Sequence, residues 1–178
     1  RLDKDTSGLI LIAKNKYAAQ QLERQRANHT LSRVYLALAE GHWTNQSKSG
    51  LIDRPIEKVP ECFNRYQVAD TGRPSRTEYE VLSEFTYEET PFSLVRLKLQ
   101  TGRTHQIRVH MASLSHPLLG DSIYGHEGFL GFDRAALHSF EITCQLPGHQ
   151  DLAVFSSEMP EDFQKMIAKS INFSSTLI

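Results

Sequence analysis

Asp3 and Asp5 sit in the stretch Arg1-Leu2-Asp3-Lys4-Asp5-Thr6-Ser7-Gly8, which leads directly into the apolar run Leu9–Ala13. Carboxylates, hydroxyls and a glycine in a loop feeding a buried element are a way to hold a reactive group on rigid structure. The same residue types also make ordinary Asx and Ser/Thr turns, and composition does not separate the two. A second cluster is Thr101-Gly102-Arg103-Thr104-His105-Gln106-Ile107-Arg108-Val109-His110. Gly102 supplies a tight turn and Thr104 a helix cap. Arg108 falls one turn beyond Thr104, at the border of the Ile107–Met111 stripe, where an arginine reaches over a cleft while its stem packs on the core. The competing reading is a solvent-facing arginine.

Other chemistries are excluded by spacing. His105 and His110 are five apart, which points the rings away from one another, whereas a zinc-binding helix needs H-E-x-x-H. Thr6-Ser7-Gly8 follows Asp5 rather than a glycine, so it is not a nucleophile elbow. No G-x-x-x-x-G-K-[ST] loop is present to hold a nucleotide. Two cysteines, Cys62 and Cys144, make neither a disulfide scaffold nor a zinc site and fit a reducing compartment.

The elements that must position these residues follow from periodicity. Leu9–Ala13 reads as a buried strand, and Lys16–Ala27, capped by Asn15, as a surface helix. Arg33–Ala39 alternates, with Val34, Leu36 and Leu38 on one face and Tyr35 on the other, so it is a strand. Residues 43–50 and 55–76 are loop-like, with at most short strands. Thr77–Phe85 and Phe92–Leu99 form a hairpin across residues 86–91. Thr104–Ser115 is helical, Ala135–Gln145 and Leu152–Phe155 are strands, and Pro160–Lys169 is a short helix. Strands outnumber helices and are joined by hairpins, which gives an α+β domain around a mainly antiparallel sheet.

The chain has 178 residues, enough for one domain with a real core. Its 39% hydrophobic and 23% charged residues exclude a disordered chain, and no apolar run approaches a membrane span. The net charge of −1 hides an asymmetry: residues 1–110 carry +4 and residues 111–178 carry −5. Such imbalance is a hint of nucleic-acid contact on the first part, but charge alone favours the plainer reading of an uneven solvated surface.

Arg1–Gly8 resembles the R-L-D-x-x-T-S-G motif of the RluA-type pseudouridine synthases. Thr101–His110, followed by His116-Pro117-Leu118-Leu119-Gly120-Asp121 and Tyr124-Gly125, is similar to their T-G-R-x-H-Q-I-R-V-H … H-P-[IL]-x-G-D-x-x-Y-G signature. Arg33-Val34-Tyr35-Leu36-Ala37 with Glu40-Gly41 resembles the family's K-x-Y-x-A … G strand, with Arg33 in place of lysine, and residues 71–77 match G-K-x-A-x-T more loosely. The motifs occur in family order over nearly the whole chain.

The resemblance implies the pseudouridine synthase catalytic fold, a mixed, mainly antiparallel sheet with flanking helices and loops. It also implies isomerisation of uridine to pseudouridine in ribosomal or transfer RNA, without metal, nucleotide or redox cofactor. Asp3 then corresponds to the essential carboxylate, Tyr35 to the side chain against the target base, and Arg108 to the partner of that carboxylate. Arg1, Thr6, Arg73, Arg76, Arg103, His105 and Gln106 are the expected substrate-binding residues, beside phosphates or base. A cytoplasmic monomer with RNA as partner and no membrane is expected. Two alternatives stay open: a non-catalytic RNA-binding or assembly module, and a glycosidic hydrolase using Asp3 and Asp5 as a pair. With Asp3 so near the first residue, residues 1–178 are expected to be a catalytic domain truncated at its N-terminus, weakly active alone.

Overall fold

The computed structural model of the chain describes residues 2–170. The described strands and helices are β1 (Ser7–Gly8), α1 (Lys16–Ala27), β2 (Ser32–Glu40), β3 (Ser49–Asp53), β4 (Ile56–Lys58), β5 (Tyr66–Val68), β6 (Arg76–Tyr87), β7 (Thr90–Leu99), α2 (Gln106–Ser113), β8 (Leu137–Gln145), β9 (Leu152–Ser156) and α3 (Glu161–Ala168). The main sheet runs β1-β8-β2-β7-β6-β3, with β9 also on β8, and β4 and β5 form a separate two-stranded sheet. All of its pairings are antiparallel except β1 with β8. The α+β expectation holds.

β2 is central and is buried from Val34 to Ala39. Flanked by β7 and β8, it uses both faces of its alternation. Leu36 and Leu38 join Phe92, Leu119 and Phe163 in one core, which α3 covers with Met166 and Ile167. Tyr35, Ala37 and Ala39 join Trp43, Leu97, Ile107 and Met111 in the other, beneath α2. Tyr35 is thus opposite the leucines, as the alternation indicates, but its surroundings are core rather than open surface.

Three features depart from the sequence reading. Leu9–Ala13 is not a strand: only Ser7 and Gly8 pair with β8, and Leu9 N–H makes a last bond to Ser139 O at 2.9 Å. Further along β8, positions 141–145 are taken by β9, so the apolar run leaves the ladder with Ile10 and Ile12 53% and 76% exposed. β3 was hidden because four of its five side chains are exposed, which leaves no apolar alternation to read. The hairpin of β6 and β7 is longer than its pattern suggested and turns on only Glu88 and Glu89, both at positive φ, a two-residue connection matching strand twist. No described helix is long and apolar enough to cross a membrane.

Candidate active site

The loop before β1 is built by backbone geometry. Thr6 N–H donates to Asp3 O at 3.2 Å, and Asp5 takes a left-handed φ of 68°, which aspartate tolerates in turns. Gly8 has φ 97°, and a Cβ there would lie 2.2 Å from Ser139 O, so only glycine lets the chain dock on β8. Ser7 Oγ and His138 Nδ1 are 2.9 Å apart, and His138 Nε2 is 2.9 Å from Ser157 Oγ. Asp3 is thereby held by a clamped loop, while Asp5 is exposed at the turn. Asp5 has a conformational reason to be aspartate, at an exposed turn position with left-handed φ.

Asp3, Thr6, Tyr35, Arg33, Arg103 and Gln106 line one cleft of about 220 Å³, over an apolar floor that includes Leu2, Leu99, Ile107 and Leu137. Burial pushes the Tyr35 phenol above its ordinary pKa; Arg33 and Ser139 oppose the rise and Asp3 adds to it. Tyr35 and Ser139 are cross-strand partners, and Ser139 Oγ, though near the phenol, is buried without a well-formed hydrogen bond. A neutral phenol packed in a cleft is suited to lie against a base and to handle a proton. Arg33 Nη2 donates to Thr101 O at 3.3 Å, and a Cβ on Gly102 would sit 3.0 Å from Arg33 Nη1. Gly102 therefore makes room for this guanidinium.

Gln106 organises the loop under the cleft. Its Oε1 accepts from Thr101 Oγ1 at 2.8 Å and Arg103 N–H at 3.0 Å, and its Nε2 donates to Arg76 O and Thr77 Oγ1. Thr104 is not the cap expected of it: α2 starts at Gln106 with His105 in the N-cap position at φ 54° and no side-chain cap hydrogen bond, and Gln106 ties down the loop ahead of the helix instead. His105 is buried with Nδ1 3.0 Å from Tyr124 Oη. Both side chains brace the cleft wall through contacts within the protein, and Gln106 also lines the cleft itself. His110 joins them, between Thr77 Oγ1 and Arg54 O, both at 2.9 Å.

The expected pairing of Arg108 with Asp3 is corrected. Arg108 Nε and Nη2 donate to Asp121 Oδ2 and Oδ1, each at 2.6 Å, a bidentate pair that uses the planar fork. Among the described residues Asp3 makes no ion pair with it within 4.0 Å. Burial disfavours the Arg108 cation, but Asp121 more than offsets this and the nearby charge of Asp3 contributes, so its pKa is raised. Asp121 faces Arg108 because its Oδ1 also accepts from Ile123 and Tyr124 N–H, which fixes the carboxylate.

The expected basic residues separate. Arg103 lies on the cleft, and Arg73 on an adjoining groove that also includes Arg103 and Thr104. Arg76 is paired with Asp53 at 2.9 Å and faces a different groove, so its placement beside substrate is not supported. Arg1 lies outside the described residues. Sequence reading assigned no site role to Arg26, whose helix brings it to the same cleft, nor to Asp121 or Tyr124. Only the basic last turn of α1 hinted at Arg26. Among the described residues no three His, Cys, Asp or Glu side chains converge as a metal site.

The histidines under this site give a pH dependence. His138 is pushed below its ordinary 6.5 by burial and then Arg134, and His110 chiefly by burial. The unfolded chain takes up protons near 6.5 while the folded chain resists, so stability is full above that pH and falls as pH drops below it. Melting temperature should decline between about pH 6.5 and 5, and His138→Gln should flatten that decline. A wild-type profile flat over this range would contradict the prediction.

Residues 1–113 match the family described as RNA pseudouridylate synthase. Ribosomal large subunit pseudouridine synthase D of Nitrosomonas europaea is 38% identical over 175 residues, covering 94% of this chain and 49% of that protein. The Bacillus subtilis protein YhcT, described as an uncharacterized RNA pseudouridine synthase, is 41% identical over 166 residues, covering 93% and 53%. The chain thus spans about half the length of these curated relatives. The structure of human RNA pseudouridylate synthase domain containing 1 matches with a TM-score of 0.76 at 30% identity, covering 96% of this chain and 71% of that one. With a carboxylate, a buried phenol and arginines converging on one cleft, and with matches of this extent, the chain belongs to the RNA pseudouridylate synthase family.

Proposed function

We propose that the chain isomerises uridine to pseudouridine in RNA, with Asp3 as the catalytic carboxylate and large-subunit ribosomal RNA as substrate. The observation that carries this is the convergence of Asp3 and Tyr35 in a cleft bordered by Arg26, Arg33 and Arg103, from separate parts of the fold. The ribosomal substrate is suggested by the name of the Nitrosomonas relative. In the reaction the C1′–N1 bond breaks, the uracil turns, a C1′–C5 bond forms, and the proton on C5 is lost while N1 gains one. A carboxylate supplies the anion that attacks C1′ or stabilises its positive charge as the base departs. Tyr35 packs along the extruded base and handles the proton at its edge. Arg33 and Arg103 meet the flanking phosphates, and Gln106 keeps the loop that carries Arg103 in place.

The test is to incubate the protein with an unmodified transcript of large-subunit ribosomal RNA and detect pseudouridine by chemical labelling. New pseudouridine is expected at discrete positions. Binding without any product would favour the non-catalytic module instead.

The same reading fixes which charges matter. Arg103→Ala and Arg73→Ala should each weaken RNA binding and reduce its salt slope by about one. Arg76→Ala should have less effect because Asp53 already neutralises it. Removing Lys165 and Lys169, on and just beyond α3, should leave both quantities unchanged. Filter binding across a salt series checks all four, and equal effects from every site would refute the assignment.

A further inference from the structure

β4 and β5 form a hairpin with its own small sheet, not laddered to the main one. Its base is tied by Ile56 N–H to Arg73 O at 3.0 Å and Arg73 N–H to Ile56 O at 2.8 Å. Its returning strand is tied through a side chain from elsewhere in the chain. Tyr66 N–H donates to Tyr124 Oη at 2.9 Å, and the same oxygen lies 3.0 Å from His105 Nδ1. The His105 ring stands edge-on to both tyrosines, at 5.6 Å from Tyr66 and 5.7 Å from Tyr124.

The Tyr124 ring has a second neighbour. The Arg108 guanidinium sits 5.2 Å from its centroid, a cation–π contact, and Asp121 holds both the guanidinium and the Tyr124 N–H. One tyrosine therefore touches the hairpin through its hydroxyl and Arg108 through its face. Its phenol is pushed up to about 12, first by burial, and so stays protonated at working pH. The Tyr124 oxygen thus accepts from Tyr66 N–H and shares a second hydrogen bond with His105 Nδ1, joining the hairpin to the start of α2.

The groove alongside the hairpin, about 300 Å³, is lined by Lys58, Tyr66 and Arg73 and shares Arg103 and Thr104 with the active-site cleft. A polyanion leaving the cleft past Arg103 meets its next positive charges here. We propose that Tyr124 is a positioning residue that couples the β4–β5 hairpin to Arg108, so that RNA seated along the hairpin groove sets the guanidinium on α2, whose residues Gln106 and Ile107 line the cleft. The inference rests on the RNA-modifying function proposed above. It differs from a packing role in that the ring alone does not suffice: the hydroxyl is the link to the hairpin.

Tyr124→Phe keeps the ring and removes the hydroxyl. On the unmodified ribosomal transcript its single-turnover rate should fall about tenfold, while RNA affinity stays within about threefold and melting temperature changes little. In hydrogen exchange, the Tyr66 amide should lose protection in the free variant. RNA-induced slowing should reach α2 in the wild type and stay confined to the hairpin in the variant. A rate equal to wild type, or a loss of rate matched by an equal loss of affinity, overturns the coupling. If the wild type neither binds nor modifies the transcript, the functional reading fails instead. The free-chain exchange still decides the link, since a Tyr66 amide equally protected in both proteins overturns it.

Discussion

Asp3→Asn should abolish pseudouridine formation, by about three orders of magnitude or more, while the protein still folds and binds RNA. The expectation follows from what the substitution leaves intact. The turn from Asp3 to Thr6 uses the Asp3 carbonyl, which asparagine keeps, and the clamp through Ser7 and His138 lies outside the change. What disappears is the anionic oxygen at the cleft. Asp5→Asn should be nearly silent, because asparagine also accepts the left-handed φ of 68° at that exposed turn. The contrast is diagnostic: a paired-carboxylate hydrolase needs both acids. Wild-type turnover by Asp3→Asn would end its catalytic assignment, and failure to fold would reduce Asp3 to a turn residue.

The second large effect is expected at Arg108, in stability as well as rate. Its side chain is 9% exposed and that of Asp121 is 0% exposed, so Arg108→Ala leaves a buried carboxylate without its cation. Such an unpaired charge costs about 3–5 kcal/mol, a large fraction of a domain's stability. Asp121 retains the Ile123 and Tyr124 N–H bonds, which places the cost toward the lower end of that range. Arg108→Lys keeps charge but loses the fork, and should reduce turnover with a smaller loss of stability. Arg108→Met with Asp121→Asn removes both charges and should recover much of the stability without restoring activity. Equilibrium denaturation with turnover assays on the four proteins checks this. If the double variant is as unstable as Arg108→Ala, the buried-charge explanation is wrong.

Much of the candidate site could be read in the sequence because its chemistry is carried by short, contiguous segments. The stretch from Arg1 to Gly8 and the stretch from Thr101 to His110 each contain their own turn, and local geometry is encoded locally. The alternation of β2 likewise placed Tyr35 opposite Leu36 and Leu38, and the helices α1 and α3 had clear caps or boundaries. Gly102, read as a turn residue, lies against the guanidinium of Arg33, a contact that only the fold reveals.

What the sequence determined by itself was therefore the α+β class, the family resemblance, and Asp3 and Tyr35 as the residues to bring together. Tertiary structure alone decided their partners. Arg108 chooses Asp121, thirteen residues on, because the loop after α2 folds back and its own N–H groups fix that carboxylate. The run Leu9–Ala13 has the composition of a strand, yet strand pairing depends on a free neighbouring edge, and β9 occupies the part of β8 that it would need. Gln106 and His105, expected at the substrate through the family resemblance, also serve as internal braces, because burial obliges their polar atoms to find partners within the protein. Hydrogen-bond partners far apart in the chain are set by packing, and no local pattern records them.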